Sequence, residues 1–203
     1  MQILTMPQGS PEWLAARLGR VTMSELKALL VNGKGPGGLG TGAITYMHQL
    51  IGERMTGELA ESFQGNAHTK RGQELESVAR SLYRDMTGAP KPKEVGLILN
   101  HNVGYSPDSL IGRNGLLEIK TKLPKFQIEV LLSREIPDEH VPQCQGGLWV
   151  SEREWIDFVS YWPGMPLFVK RAYRDEALIR TIAERVDAFH EEMERRISQV
   201  MAA

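Results

Sequence analysis

The sequence predicts a single α/β domain. Two segments with the apolar spacing of amphipathic helices, 69–88 and 175–201, lie on either side of several short β-rich segments. The chain has 203 residues, which is the length of one domain with a well-filled core. Because it shows no internal repeat and no domain linker, we expect one folded unit.

The composition is typical of a globular protein, with 41% hydrophobic and 24% charged residues. No apolar run approaches the roughly 20 residues of a membrane helix, and the first residues lack the pattern of a secretory signal. Cys144 is the single cysteine, so we expect no internal disulfide and a small buried thiol. These features favour a reducing cytoplasm, whereas the net charge of −1 neither indicates nor excludes nucleic-acid binding.

The elements before residue 43 are predicted to be two helices followed by a glycine-rich loop. Ser10 and Pro11 are a favourable N-cap and first residue for a helix in GSPEWLAARLG. Thr22 and Glu25 have capping-box spacing in TMSELKALL. Six of eleven residues in 32–42 are glycine, so we expect a mobile flap near a substrate. Its G-x-G-x-x-G spacing follows a helix rather than a strand, which argues against a dinucleotide site.

The elements after residue 42 begin with two helices. The second, in TKRGQELESVARSLYRDMTG, has one apolar face formed by Leu75, Val78, Ala79, Leu82 and Met86. Three strands follow in KEVGLIL, VGYSP and LLEIKTK, and the turn-rich DSLIGRNG joins the last two. Two helices, KFQIEVLLS and PQCQGGLWVS, precede a β-hairpin around WPGMP. A long amphipathic helix from Asp175 to Met201 ends the chain.

Two carboxylates and a lysine form the candidate site. Glu118 and Lys120 project from one face because side chains alternate along a strand. Asp108 lies just before the turn whose return strand carries Glu118, so the carboxylates can converge. They are suitable ligands for Mg²⁺, and Lys120 beside a metal could orient or deprotonate water or stabilise charge on phosphate.

E-x-K alone favours a solvated hairpin with a surface ion pair. The full spacing Asp-x9-Glu-x-Lys, with Pro107 before Asp108, favours a metal-dependent nuclease.

Five motifs in a fixed order, which together span roughly residues 8–165, extend this pattern. They are QGSPEWLAARLGRVTMSE, RGQELESVARSLY, SPDSLIGRNGLLEIKTK, QCQGGLWV and FVSYWPGMP. The chain therefore resembles the lambda exonuclease family, or YqaJ-like viral recombinases, of the PD-(D/E)XK nuclease superfamily. The resemblance implies a central mixed β-sheet flanked by helices in a single nuclease domain, 1–203. Its parts would be N-terminal helices 10–60, a catalytic core 68–172 and a C-terminal helix 174–201.

The resemblance also implies an activity. Such an enzyme is a metal-dependent 5′-to-3′ exonuclease that processively digests one strand of linear double-stranded DNA from a 5′-phosphorylated end. The 3′ single-stranded tail goes to a single-strand annealing protein in phage-type recombination. The implied cofactor is Mg²⁺, with two ions and substitution by Mn²⁺, and the implied assembly is a homotrimer ring of phage or prophage origin. A structure- or site-specific endonuclease and a catalytically silent DNA-binding scaffold remain as alternatives.

The resemblance assigns roles to individual residues around the carboxylates. Asp108 and Glu118 match the metal-binding carboxylates, the backbone carbonyl of Ile119 would be a further metal ligand, and Lys120 matches the catalytic lysine. Ser109 departs from the family, which often has glycine after the aspartate. This residue could stiffen the turn without removing the metal site.

Two further positions have close rivals. Glu76 matches a helix glutamate near the metals, and Glu74 competes for that role. Gln145 fits the superfamily's Q-x-x-x-(Y/W) motif with Trp149 four residues on. Gln143 is its near rival, and an ordinary surface glutamine is the remaining interpretation.

Three residues match the family's pocket for the DNA 5′-phosphate. Arg17 would contact the phosphate, and Ser24 and Ser106 would supply hydroxyl groups. A planar guanidinium with nearby hydroxyls suits a phosphate dianion. Arg20 is the alternative if the alignment is shifted, and an arginine on a helix surface without a ligand is the plain interpretation.

Overall fold

The computed structural model describes the backbone of residues 1–60 and 67–202, and the side chains of these ranges apart from residues 67–70 and 73. The strands in the described part are β1 Gln2–Leu4, β2 Val21–Thr22, β3 Leu97–Asn100, β4 Val103–Tyr105, β5 Ser109–Ile111, β6 Gly115–Lys120, β7 Trp155–Ser160 and β8 Phe168–Tyr173. The α-helices there are α1 Pro11–Arg17, α2 Leu26–Leu30, α3 Thr41–Thr56, α4 Ala67–Thr87, α5 Pro124–Ser133, α6 Val141–Ser151 and α7 Glu176–Met201.

The strands form two mixed sheets of four strands each. The first has the order β1–β3–β4–β2, and β2 is parallel to β4. The second has the order β5–β6–β7–β8, and its central strands β6 and β7 are parallel. The predicted mixed α/β class is confirmed, with the strands shared between two sheets.

The pairing around the carboxylates differs from the sequence prediction in one element. Part of DSLIGRNG, which we predicted as a turn, is strand β5, and it pairs antiparallel with β6. Leu110 and Ile111 are buried in the core, which explains why this short segment is extended rather than looped. VGYSP begins with β4, which belongs to the first sheet and does not pair with β6.

The two long helices bury different shares of their predicted apolar faces. Helix α7 begins after Asp175, whose carboxylate accepts hydrogen bonds from two amides of the first turn, and it buries its apolar stripe as predicted. Helix α4 instead buries Ala79 and Tyr83, while Val78, Leu82 and Met86 are exposed. The reason is a contact across to β7, where the Tyr83 hydroxyl donates to Asp157 at 2.7 Å. No helix among the described residues is both long and apolar enough to span a bilayer.

The glycine-rich segment, which we expected to be a mobile flap near a substrate, forms a compact turn. Gly37 and Gly38 have φ angles of 62° and 72°, a region that glycine occupies without strain. Arg185 of α7 donates to the Gly37 carbonyl at 2.9 Å and also contacts the Asn32 side chain. Leu39 is fully buried, so the segment is fixed to the core at its end.

Candidate active site

Strand pairing brings Asp108 and Glu118 together as the sequence predicted. The Asp108 amide donates to the Leu117 carbonyl at 3.2 Å, and the Asp108 carboxylate accepts a hydrogen bond from the Ile119 amide. Glu118 lies between those two residues on β6 and is buried. Burial, then the charges of Glu118 and Glu76, raise the pKa of Asp108 well above its usual range. The site therefore concentrates negative charge where the surrounding protein disfavours it.

Lys120 forms a partly buried ion pair with Glu118. Its Nζ lies 2.7 Å from Glu118 Oε1, and the two side chains are 26% and 3% exposed, respectively. The interpretation of this segment as a solvated hairpin is therefore wrong. Burial lowers the pKa of the Lys120 amine, but Glu118 and Asp108 outweigh burial and leave it raised. The amine is held as a cation beside the two carboxylates.

Two further donors fix the Glu118 carboxylate. Gln143 Nε2 donates to Oε1 at 2.6 Å, and the buried Tyr105 hydroxyl donates to Oε2 at 3.0 Å. Burial is the largest cause of a raised pKa for Tyr105, so the hydroxyl keeps its proton and remains a donor. Sequence reasoning missed Tyr105, since this residue belongs to β4 of the other sheet and no local spacing points to it.

The structure brings Gln143, the rival of the predicted Gln145, to the carboxylates. Gln145 does not reach the carboxylates, because its amide donates to the Tyr173 carbonyl at 2.9 Å and accepts from the Asp175 amide at 2.8 Å. Residues two apart on a helix point about 200° away from each other, so only one of the pair can face the site. Gln143 is the residue that faces the site, whereas Gln145 connects the end of β8 to the start of α7 through its two hydrogen bonds.

Helix α4 contributes the predicted glutamate and an arginine that sequence reasoning missed. Glu76 is half-buried. Burial is the largest cause of its raised pKa, and the charges of Lys120 and Glu118 also act on this carboxyl. Its rival Glu74 is exposed. Arg80, one turn further along α4, donates to the Asp108 carbonyl at 3.3 Å, so the helix also holds the aspartate's main chain.

The predicted phosphate residues form one hydrogen-bonded group. Arg17 donates to Ser106 Oγ at 3.5 Å and to Thr22 Oγ1 at 3.3 Å, and Thr22 Oγ1 lies 3.1 Å from Ser24 Oγ. The Arg17 guanidinium stacks on the Trp13 ring at 4.3 Å, and burial lowers the pKa of this guanidinium. Thr22 and Trp13 were not predicted as members of the group.

A pocket of about 380 Å³ opens beside this group. Its walls include Arg17, Thr22 and Ser24, together with the alternative Arg20. Ser106 lies two residues before Asp108, so the group containing Arg17 adjoins the carboxylates along the chain. This arrangement places a potential anion site next to a potential metal site.

Comparisons with known proteins identify the family of the chain. A family model described as the YqaJ-like viral recombinase domain matches residues 12–154. The chain belongs to this family.

Solved structures support the YqaJ-like assignment along nearly the whole chain. An alkaline exonuclease, LHK-Exo, from Laribacter hongkongensis is 36% identical with a TM-score of 0.85, and the match covers 95% of this chain and 97% of that one. LHK-Exo in complex with dAMP gives 36% identity, a TM-score of 0.84, and coverage of 94% and 96%. A phage-related exonuclease from Haemophilus somnus 129PT shares the fold, with 21% identity, a TM-score of 0.68, and coverage of 89% and 96%. A comparison with curated proteins gave no match. The protein is a deoxyribonuclease of the alkaline exonuclease type.

The residues of this YqaJ-like site fit a hard divalent cation. Among the described residues, no three His, Cys, Asp or Glu side chains are placed to hold a metal by themselves. Asp108 and Glu118 supply two carboxylates, which suits Mg²⁺ because that ion usually retains water and binds substrate phosphate. The raised pKa of Asp108 is a second sign of fit, because a bound cation would favour the charged carboxylate that burial and the neighbouring carboxylates disfavour.

Proposed function

We propose that this deoxyribonuclease is a divalent-metal-dependent exonuclease that digests one strand of linear double-stranded DNA in the 5′-to-3′ direction. The observation that carries the proposal is the link from Arg17 through Ser106 to Asp108. This link sets a candidate site for a terminal 5′-phosphate beside the carboxylates. An enzyme that holds the phosphate at a strand end can present the adjoining phosphodiester for cleavage.

The proposed metal site uses Asp108, Glu118 and the backbone carbonyl of Ile119, with Mg²⁺ or Mn²⁺ and two ions in the complete enzyme. Bound metal would activate water and stabilise negative charge on the leaving oxygen. Lys120, which is paired with Glu118 at 2.7 Å, supplies positive charge to the phosphate undergoing cleavage. Glu76 adds a third carboxylate at the border of this site.

The remaining residues orient the reacting groups. Gln143 and Tyr105 hold Glu118 in one orientation, because they donate to its two oxygens. Arg17, Ser24 and Ser106 would hold the 5′-phosphate, with Thr22 as an additional hydroxyl. Fixing both the end and the carboxylates is a positioning effect, which can contribute several kcal/mol to lowering a barrier.

The biological setting is part of the proposal. The 3′ single-stranded tail would pass to a single-strand annealing protein, and a homotrimer ring would keep the enzyme on its DNA for processive digestion. A phage or prophage gene expressed in a bacterial cytoplasm suits a recombinase-family nuclease. The complex of the relative LHK-Exo with dAMP supports a site that accepts a mononucleotide product.

The test uses linear duplex labelled separately on each strand, with 5′-phosphate at one end and 5′-hydroxyl at the other. Closed circular DNA and EDTA reactions run beside it. We expect Mg²⁺-dependent loss of the strand with the 5′-phosphate, from its 5′ end, and intact circles. Cutting of circles would move the assignment to an endonuclease, and DNA binding without cleavage in any divalent metal would favour a scaffold.

Two variants with controls assign the roles. Lys120→Ala should abolish cleavage and retain DNA binding, whereas Lys91→Ala, which removes an exposed lysine, should cleave normally. Arg17→Ala should reduce the preference for the phosphorylated end, whereas the exposed Arg180→Ala should not. Parental cleavage by Lys120→Ala, or an unchanged end preference in Arg17→Ala, would contradict the assigned role.

A further inference from the structure

A second arginine–tryptophan pair lies at the border of the active site. The guanidinium of Arg71, near the start of α4, stacks over the Trp162 ring at 5.1 Å from its centroid. Both side chains are half-buried. The Arg71 Nε atom is buried and donates to no atom of the described residues, and no ion pair joins Arg71 to a described carboxylate. The pair therefore presents a cation without a counter-ion in the described protein.

The pair is held next to the catalytic lysine. Trp162 follows Tyr161, whose amide donates to the Lys120 carbonyl at 3.0 Å. On the other side, a Cβ placed on Gly72 would lie 3.6 Å from Thr121 Oγ1, so the start of α4 packs on the residue after Lys120. Arg71 and Trp162 thus approach the same edge of the sheet, where the parallel strands β6 and β7 end.

The loop that carries Trp162 is built to keep its shape. The buried Gln127 donates to the carbonyls of Ser160 and Pro166, at 3.1 and 2.9 Å, and accepts a hydrogen bond from the Ser160 hydroxyl at 2.6 Å. These contacts fix both ends of the loop around Trp162. An arginine that stacks on such a ring has fewer conformations to lose when it binds an anion.

The other end of β7 carries an informative contrast. Arg171 lies over Trp155 at 3.6 Å, but its guanidinium also makes two hydrogen bonds of 2.8 Å to the buried Asp157. That arginine has a charge partner within the protein, and its ring partner Trp155 begins the strand that Trp162 follows, at the opposite end of β7. The Arg71 pair is the one at the catalytic edge.

We propose that Arg71 binds a phosphate of the DNA strand that enters the active site, and that Trp162 is a positioning residue that holds its guanidinium there. A guanidinium is suited to phosphate, since its N–H groups match the phosphate oxygens. The inference rests on the proposed action on DNA ends. It adds a phosphate contact on the side of the site formed by α4, separate from the group around Arg17.

The test measures binding of 5′-phosphorylated duplex in EDTA across a range of salt concentrations, which avoids cleavage. Arg71→Gln should bind about tenfold more weakly. The slope of log K against log salt should fall in magnitude by about 0.7–0.9, the value for one lost phosphate contact. Arg84→Gln, which removes an exposed arginine from the same helix about 20 Å away, should leave both quantities unchanged.

Further variants separate binding from folding. Arg71→Lys keeps the charge and should retain the salt slope with weaker affinity, because it loses the planar stack. Trp162→Ala should weaken DNA binding about as much as Arg71→Gln, and Trp162→Phe should weaken it less. Adding Trp162→Ala to Arg71→Gln should weaken binding little further, as expected for coupled residues. Thermal unfolding of each variant shows whether a loss follows from a folding defect.

Two results would overturn the inference. An unchanged salt slope in a folded Arg71→Gln protein would show that Arg71 binds no phosphate. Full affinity in Trp162→Ala would remove the positioning role. If the parental protein neither binds nor cleaves DNA ends, the proposed function fails as well, and the Arg84→Gln control has no binding to report.

Discussion

Replacement of Tyr105 by phenylalanine should lower both stability and catalytic activity, because it removes a single hydroxyl group. In the folded protein this hydroxyl donates to Glu118 Oε2 at 3.0 Å, and both residues are buried. Phenylalanine has nearly the same shape, so packing is preserved and one donor to a buried carboxylate is lost. Gln143 and Lys120 would still contact Oε1, while Oε2 would lose its donor.

The size of the effect follows from the charge on the acceptor. A hydrogen bond to a charged group contributes about 1.5–3 kcal/mol to stability. For a protein of this size that corresponds to a Tm lower by roughly 3–12 °C. Loss of a group that orients a metal ligand typically reduces metal affinity or activity by about 10–100-fold. We expect Tyr105→Phe to show both changes, measured by thermal unfolding in EDTA and by Mg²⁺ titration of cleavage.

Tyr83→Phe is the matched control. The Tyr83 hydroxyl donates to Asp157 at 2.7 Å, again between buried residues, but this pair lies outside the catalytic group. It should lower Tm by a similar amount and leave cleavage at saturating Mg²⁺ within about twofold of the parental rate. Equal effects of the two variants on cleavage, or parental cleavage by Tyr105→Phe at every Mg²⁺ concentration, would refute the orienting role of Tyr105.

Four other substitutions test the site and its packing. Asp108→Asn should abolish cleavage. It should also change how stability depends on pH, because folding raises the pKa of the Asp108 carboxyl. This carboxyl contributes fully to the stability of the parental protein below its unfolded pKa near 3.9, and the contribution is lost as pH rises. In EDTA, the denaturant midpoint of Asp108→Asn should therefore rise relative to that of the parental protein above about pH 4. A difference between the two midpoints that does not change with pH would contradict the raised pKa. Gln143→Ala should lower cleavage about 10–100-fold, and it should destabilise the fold less than Tyr105→Phe because Lys120 still contacts Glu118 Oε1. Gln145→Ala should cost about 1–3 kcal/mol and keep kcat. Loss of cleavage by Gln145→Ala together with parental cleavage by Gln143→Ala would restore Gln145 to the site. Gly147→Ala would place a Cβ 2.6 Å from the Tyr105 ring, so chemical denaturation should show a loss of about 1–3 kcal/mol, and a more stable variant would show that the ring can move.

The carboxylate pair was predictable from the sequence because its geometry is local. Asp108 and Glu118 are ten positions apart in one hairpin, so strand alternation and a single turn bring them together. The same alternation places Lys120 beside Glu118. The helix cap at Ser10 follows from equally local chemistry.

Other parts of the active site depend on contacts that no local pattern contains. The choice of Gln143 over Gln145 requires the rotation of α6 about its axis, which its packing on the sheets determines. The face of α4 that is buried depends on the Tyr83 contact with β7, since the apolar spacing alone favoured Val78 and Leu82.

The sequence by itself determined the α/β class, the carboxylate pair with its lysine, and the resemblance to a nuclease family. Only the tertiary structure decided how the strands divide between two sheets, because β1 and β2 are too short to be recognised without their partners β3 and β4, which lie about 80–95 residues away. Likewise, Tyr105 and Trp162 reach the site from segments whose positions depend on the whole core. Short-range geometry is encoded in the spacing of neighbouring residues, whereas these contacts exist only when distant segments pack together.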